Sequence, residues 1–139
     1  MKKIISTVMC FFIAFSLSAQ FNYSIELNDN KYPIEATGKR FVVISKDSSS
    51  NYNKITQDAK ESFSIRFPNK NKMIISGGKR GTAYINILKK INEIKEEKYT
   101  AIIYEAEDSN GEECVFANVT ENGDQYICVG YENRIVIYE

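Results

Sequence analysis

The sequence predicts an α+β domain: a mostly antiparallel sheet with one central helix, at about residues 82–98, followed by a four-stranded meander. Three observations carry that reading. Apolar and polar residues alternate over short stretches, the pattern of half-buried strands. One segment replaces this alternation with apolar spacings of three and four. Beyond it, two Asn-Gly pairs separate further alternating stretches, and Asn-Gly is the strongest short hairpin signal because a type I′ turn needs positive φ at both central residues.

Residues 1–19 read as a cleaved signal peptide. Met1, Lys2 and Lys3 form a positive start, an apolar run from Ile4 to Leu17 follows, and Ser18-Ala19 offers a small residue before the cut. The run is shorter than the ~20 residues of a spanning helix, so the mature chain is expected to have no membrane span. Cys10 lies inside the run and follows Met9, which does not fit a lipidated cysteine. The expected location is periplasmic or secreted. The abundance of Ile, Lys and Asn, whose codons are AT-rich, points to a bacterial source.

Residues 20–139 are then one domain, long enough to bury a core. Losing Lys2 and Lys3 from the 18 basic residues leaves two fewer cations than the 18 acids. A near-neutral chain of mixed charge argues against a nucleic-acid partner, which needs a basic face.

Within the domain, Tyr23, Ile25 and Leu27 alternate with polar neighbours as a first strand. The continuous run Phe41 to Ile44 reads as a strand covered on both faces. Residues 46–61 are polar and read as a long loop with one helical turn near Thr56 to Lys60. Phe63, Ile65 and Phe67 mark the next strand, Pro68 to Asn71 a turn, and Met73 to Ile75 the return. From Thr82, Tyr84, Ile85, Ile87, Leu88, Ile91 and Ile94 give one helical stripe, with Thr82 as N-cap and Lys89, Lys90, Lys95 and Lys98 toward the C-terminal end. Ile87, Leu88 and Ile91 are expected to be buried against the sheet.

The meander strands fall at about residues 99–107, 112–120, 125–131 and 134–138. Reading Asn110-Gly111 and Asn122-Gly123 as two-residue loops fixes the pairing. One face then carries Ile102, Tyr104, Ala106, Val115, Ala117, Val119, Tyr126, Cys128, Ile135 and Ile137, the seat for the helix. The other carries Ile103, Glu105, Cys114, Phe116, Asn118, Ile127, Val129, Tyr131, Val136 and Tyr138. This second face is apolar enough to need cover from its own chain or from a partner. The register puts Cys114 and Cys128 on opposite faces and about 10 Å apart along the strand, beyond disulfide reach. Two buried thiols are expected, although an oxidising compartment favours a bridge.

The chain has no His. That removes the commonest general base near neutral pH and the commonest zinc ligand. No cofactor, metal set or catalytic residue is identified, and no hydrolytic turnover is expected. The segment Ser76 to Thr82 holds Gly77, Gly78, Lys79, Arg80, Gly81 and Thr82 at the expected helix start, where backbone N–H groups and two cations could hold an anion. It lacks the Walker order of Gly, Lys and Ser/Thr. Asp108 to Gly111 lacks the end ligands of a calcium loop and reads as a polar turn. Phe116, Tyr131 and Tyr138 are the candidate partner surface. The functional expectation is an exported, non-catalytic binding protein whose partner is a protein, as for an inhibitor or immunity protein. The alternatives are a periplasmic small-ligand carrier and a carboxylate-dependent enzyme.

Overall fold

The computed structural model describes residues 31–46, 49, 52–77 and 81–139. The strand expected at residues 22–27 and the signal peptide lie outside them. The described residues form a ten-stranded antiparallel sheet and contain no helix. The strands are β1 Ile34–Gly38, β2 Phe41–Lys46, β3 Tyr52–Ala59, β4 Phe63–Asn69, β5 Lys72–Ser76, β6 Thr82–Lys95, β7 Tyr99–Asp108, β8 Glu113–Glu121, β9 Asp124–Gly130 and β10 Arg134–Tyr138. Their order is β1-β4-β5-β6-β7-β8-β9-β10-β2-β3, and the sheet curves as a half-barrel. The described residues are therefore all-β, not α+β.

The expected helix at 82–98 is strand β6, and the reason is visible in its register. β6 pairs with β7 through two bulges, one between Ile87 and Lys89 and one between Lys90 and Asn92. Ile85 and Ile87 point into the concave face, whereas Ile91 and Ile94 pack against the opposite face. Two faces and two extra residues together imitate a spacing of three and four. The local composition, four Ile and one Tyr, favours the strand. Ile87 is buried, Ile91 is half-buried, and Leu88, at the first bulge, is 56% exposed.

The polar segment expected as a loop also contains a strand. β3 pairs only with β2, so it is an edge. Residues 54–58 are exposed in succession, so water on both sides leaves no alternation to read.

The meander strands lie within about a residue of expectation, but β7 is turned over. Asn122-Gly123 is a two-residue loop, with φ of 52° and 85° and Glu121 opposite Asp124. Asn110-Gly111 is part of a longer connection. Asp108 Oδ1 accepts from Asn110 N and Glu112 N, both at 2.9 Å, and Glu113 pairs with Glu107. The resulting one-residue slip moves every β7 side chain to the other face. Tyr104 and Ala106 therefore share a face with Cys114 and Phe116, while Ala101 and Ile103 join Val115 and Ala117.

Two apolar clusters result. The inner one lines the concave face, where Phe67, Met73 and Phe116 are among its buried members, and its own chain supplies the cover through β1, β4 and β5. The outer one covers the far side of β7–β10 and β2, with Ile91, Ile94 and Tyr99 packed against it. Cys114 belongs to the inner cluster and Cys128 to the outer, and both are free thiols. Burial pushes the Cys114 thiol up to about 12 and Cys128 well above its ordinary value.

Strand β6 predicts opposite outcomes for adjacent residues. Ile87→Ala is expected to lose about 2–5 kcal/mol of unfolding free energy. Leu88→Ala is expected to stay within about 0.5 kcal/mol of the parent in the same urea titration. Equal losses at both positions would restore the helical stripe.

Candidate functional site

Strands β1 and β2 are joined by a short connection, as are β3 and β4, and both connections lie at the same end of the half-barrel. There Tyr138 is the ladder partner of Phe41, and Phe41 that of Ala59. On the other side of the opening, Phe63 begins β4, and Ile75 faces Ala83 across β5 and β6. The side chains of Phe41, Phe63, Ile75, Ala83 and Tyr138 wall a cleft of about 230 Å³, with Glu61 as the one carboxylate among the described lining residues. The Phe63 and Tyr138 rings meet edge to face, centroids 5.4 Å apart.

Gly77 and Gly81 complete the lining. Gly77 has a φ of 127°, and a Cβ there would stand 2.9 Å from both the Phe63 Cα and the Ser62 carbonyl oxygen. Only glycine lets the chain leaving β5 lie against the start of β4.

A charged cluster buttresses the cleft from behind. Arg40, beside Phe41, donates twice to Asp58, Nε to Oδ1 at 2.8 Å and the second terminal nitrogen to Oδ2 at 2.7 Å. Its remaining nitrogen donates to Glu139 Oε1 at 2.7 Å, next to Tyr138. The Glu139 backbone oxygen also accepts from Lys39 N and Arg40 N. Asp58 is held below its usual range, mainly by the Arg40 hydrogen bond. Glu139 is pushed up, because burial outweighs the attraction of Arg40. Its side chain is 4% exposed, and Oε2 has no hydrogen-bond partner among the described residues.

The structure scatters the residues singled out in the sequence. Phe116 is fully buried, stacked on Tyr104 at 5.3 Å and tilted against Phe67 at 6.0 Å. Tyr131 is buried too. Its hydroxyl donates to Asp108 Oδ2 at 3.3 Å, and the Arg134 guanidinium lies 3.9 Å from its ring centre, so it ties two hairpin ends together. Tyr138 alone of the three reaches the cleft. Of the glycine-rich segment, Gly77 and Gly81 line the cleft, while Gly78, Lys79 and Arg80 lie outside the described residues. Thr82 opens strand β6 and is exposed, so no helix start supplies anion donors there.

Phe41, Glu61, Phe63, Ile75 and Ala83 carry no local signal of a site. They meet only because five strands converge at one end of the sheet. Among the described residues, no three His, Cys, Asp or Glu are placed to hold a metal ion. No helix among them is long and apolar enough to cross a membrane. No protein-family model, curated protein or solved structure matches this chain.

The charged cluster gives a pH prediction. In the parent, the depressed Asp58 contributes stability that is present above its unfolded pKa and lost as pH falls through its lower folded value. Arg40→Ala leaves Glu139 buried without its counter-charge. The variant should lose about 2–3 kcal/mol near neutral pH, below the fully buried case because Arg40 is 33% exposed. Protonation of Glu139, already favoured by burial, removes that cost as pH falls. The gap between parent and variant should therefore shrink in urea titrations as pH falls through the raised Glu139 value toward the ordinary carboxylate range. A gap independent of pH would place the cost elsewhere.

Proposed function

We propose that the chain is an exported, non-catalytic binding protein, and that its partner is a protein that inserts one apolar side chain into the cleft of Phe41, Phe63, Ile75 and Tyr138. The observation that carries this reading is the size and chemistry of the cleft. At about 230 Å³ it falls below the ~300–1,000 Å³ of small-molecule sites, yet it has room for one large side chain. An anchor of that kind, seated in an apolar hole with a polar rim, is how protein interfaces concentrate their binding energy. Glu61 offers the rim an acceptor for a neighbouring amide or cation of the partner.

The concave face supports the same choice over a carrier. It is filled by the chain's own aromatic and aliphatic residues, whereas barrels that carry ligands keep that space open. The layout of residues 1–19 supports export to the periplasm or medium, where an inhibitor or immunity-type role has its targets.

The test uses a photo-cross-linking residue at position 61 in the native host, with a second one at Ile55 on edge strand β3 as control. The recovered chain should begin at Gln20, within a residue or two. Position 61 should yield one discrete protein adduct, position 55 should not, and Ala83→Phe should abolish the adduct by filling the cleft. An adduct indifferent to Ala83→Phe, or a small molecule co-purifying in native mass spectrometry, would overturn the reading.

A further inference from the structure

The outer face of β1, β4, β5 and β6 is a second surface, on the opposite side of the sheet from the inner core. Cross-strand register places Thr37, Ser64, Ser76 and Thr82 in one row. Two residues along each strand, Glu35, Arg66, Ile74 and Tyr84 form the next row. A groove of about 460 Å³ runs over the β1, β4 and β5 part of both rows. That volume lies within the range of small-ligand sites.

We propose that this face binds a neutral oligosaccharide laid across the strands. Its chemistry is selective. Four hydroxyls stand in line, each a donor and an acceptor. Ser64 and Ser76 already share a hydrogen bond at 2.9 Å. Arg66 Nε lies 3.3 Å from Glu35 Oε1, and both side chains are more than half exposed. Such a pair offers donors and acceptors side by side, which suits adjacent sugar hydroxyls. Tyr84 is 44% exposed and presents an aromatic surface to the apolar C–H face of a sugar ring.

Charge balance selects the class of ligand. Glu35 and Arg66 cancel, and the other six positions are uncharged. Lys72 stands one row further along the same face, and its Nζ lies over one side of the Tyr84 ring, 5.9 Å from the ring centre. An acidic ligand would need unpaired cations in the rows, and a protein anchor would need an apolar centre larger than Ile74 and Tyr84. Strands lie about 4.8 Å apart, close to the length of one pyranose ring, so each strand offers its row position to one sugar unit.

The experiment is calorimetric titration of the mature chain with neutral hexasaccharides of 1,4-linked glucose, mannose and N-acetylglucosamine. At least one should bind, and its disaccharide should bind more weakly. Arg66→Ala and Tyr84→Ala should each weaken binding about tenfold with unchanged unfolding curves, and the cleft variant Ala83→Phe should leave it intact. In the unsubstituted protein, amide shifts on adding sugar should cluster on β4, β5 and β6. Absence of binding by all three sugars at millimolar concentration would overturn the proposal. So would binding that survives both substitutions, or shifts that cluster at the cleft.

Discussion

Strand β6 must serve two cores that lie on opposite faces of one sheet, and its two bulges are how it does so. Up to Ile87 it sits between β5 and β7 and turns Ile85 and Ile87 inward. β5 reaches only to Asn86. Past that point β6 pairs with β7 alone, and Ile91 and Ile94 pack against the outer cluster. Bulges bend a strand and increase its local twist. The bend falls where the half-barrel needs curvature, because a flat ten-stranded sheet could not bury one face against itself. Without it, Phe67 and Met73 on one limb would not meet Phe116 and Val129 on the other.

The other end of the curve is fixed at Gly38. A Cβ there would lie 2.1 Å from the Phe63 ring and 2.7 Å from the Glu139 carbonyl oxygen. The ring could swing aside, but the backbone oxygen is held by Lys39 N and Arg40 N. This close approach sets where β1 and β4 part from β2 and β10, and the cleft is the gap they leave. Its walls are strand ends, so its shape depends on the curvature of the whole sheet. The two sheet edges are both guarded against unwanted pairing. β1 is five residues long, and β3 carries Lys54 and Asp58 and is itself bulged, at Thr56 and Asn53, against β2.

Much of the meander was legible because its strands are short, alternate cleanly and turn at Asn122-Gly123. What escaped the sequence did so for physical reasons. Bulges hide in β6 because an extra residue shifts the apolar phase without leaving a mark in composition. Strand β3 is an edge wetted on both sides, so it lacks the alternation by which strands are read. At Asn110-Gly111 the pair was a true turn signal, but the Asp108 carboxylate caps a longer loop, and a single residue decided which face β7 presents. Tyr138 was found as an aromatic on a mixed face, while Phe41 and Phe63 looked like ordinary first residues of strands. A site assembled from five strand ends is a property of topology, and alternation along a chain does not encode which ends converge.

Curvature, cores and cleft all depend on β6 being a twice-bulged strand, and backbone nuclear Overhauser contacts within residues 82–108 test that directly. Cross-strand contacts should pair Ile87 with Ala106, Lys90 with Tyr104, Asn92 with Ile103 and Ile94 with Ala101, in step with the two register shifts. Contacts between residues three apart along 82–98, in place of those cross-strand pairs, would mean a helix and would contradict the fold, the curvature and the cleft together.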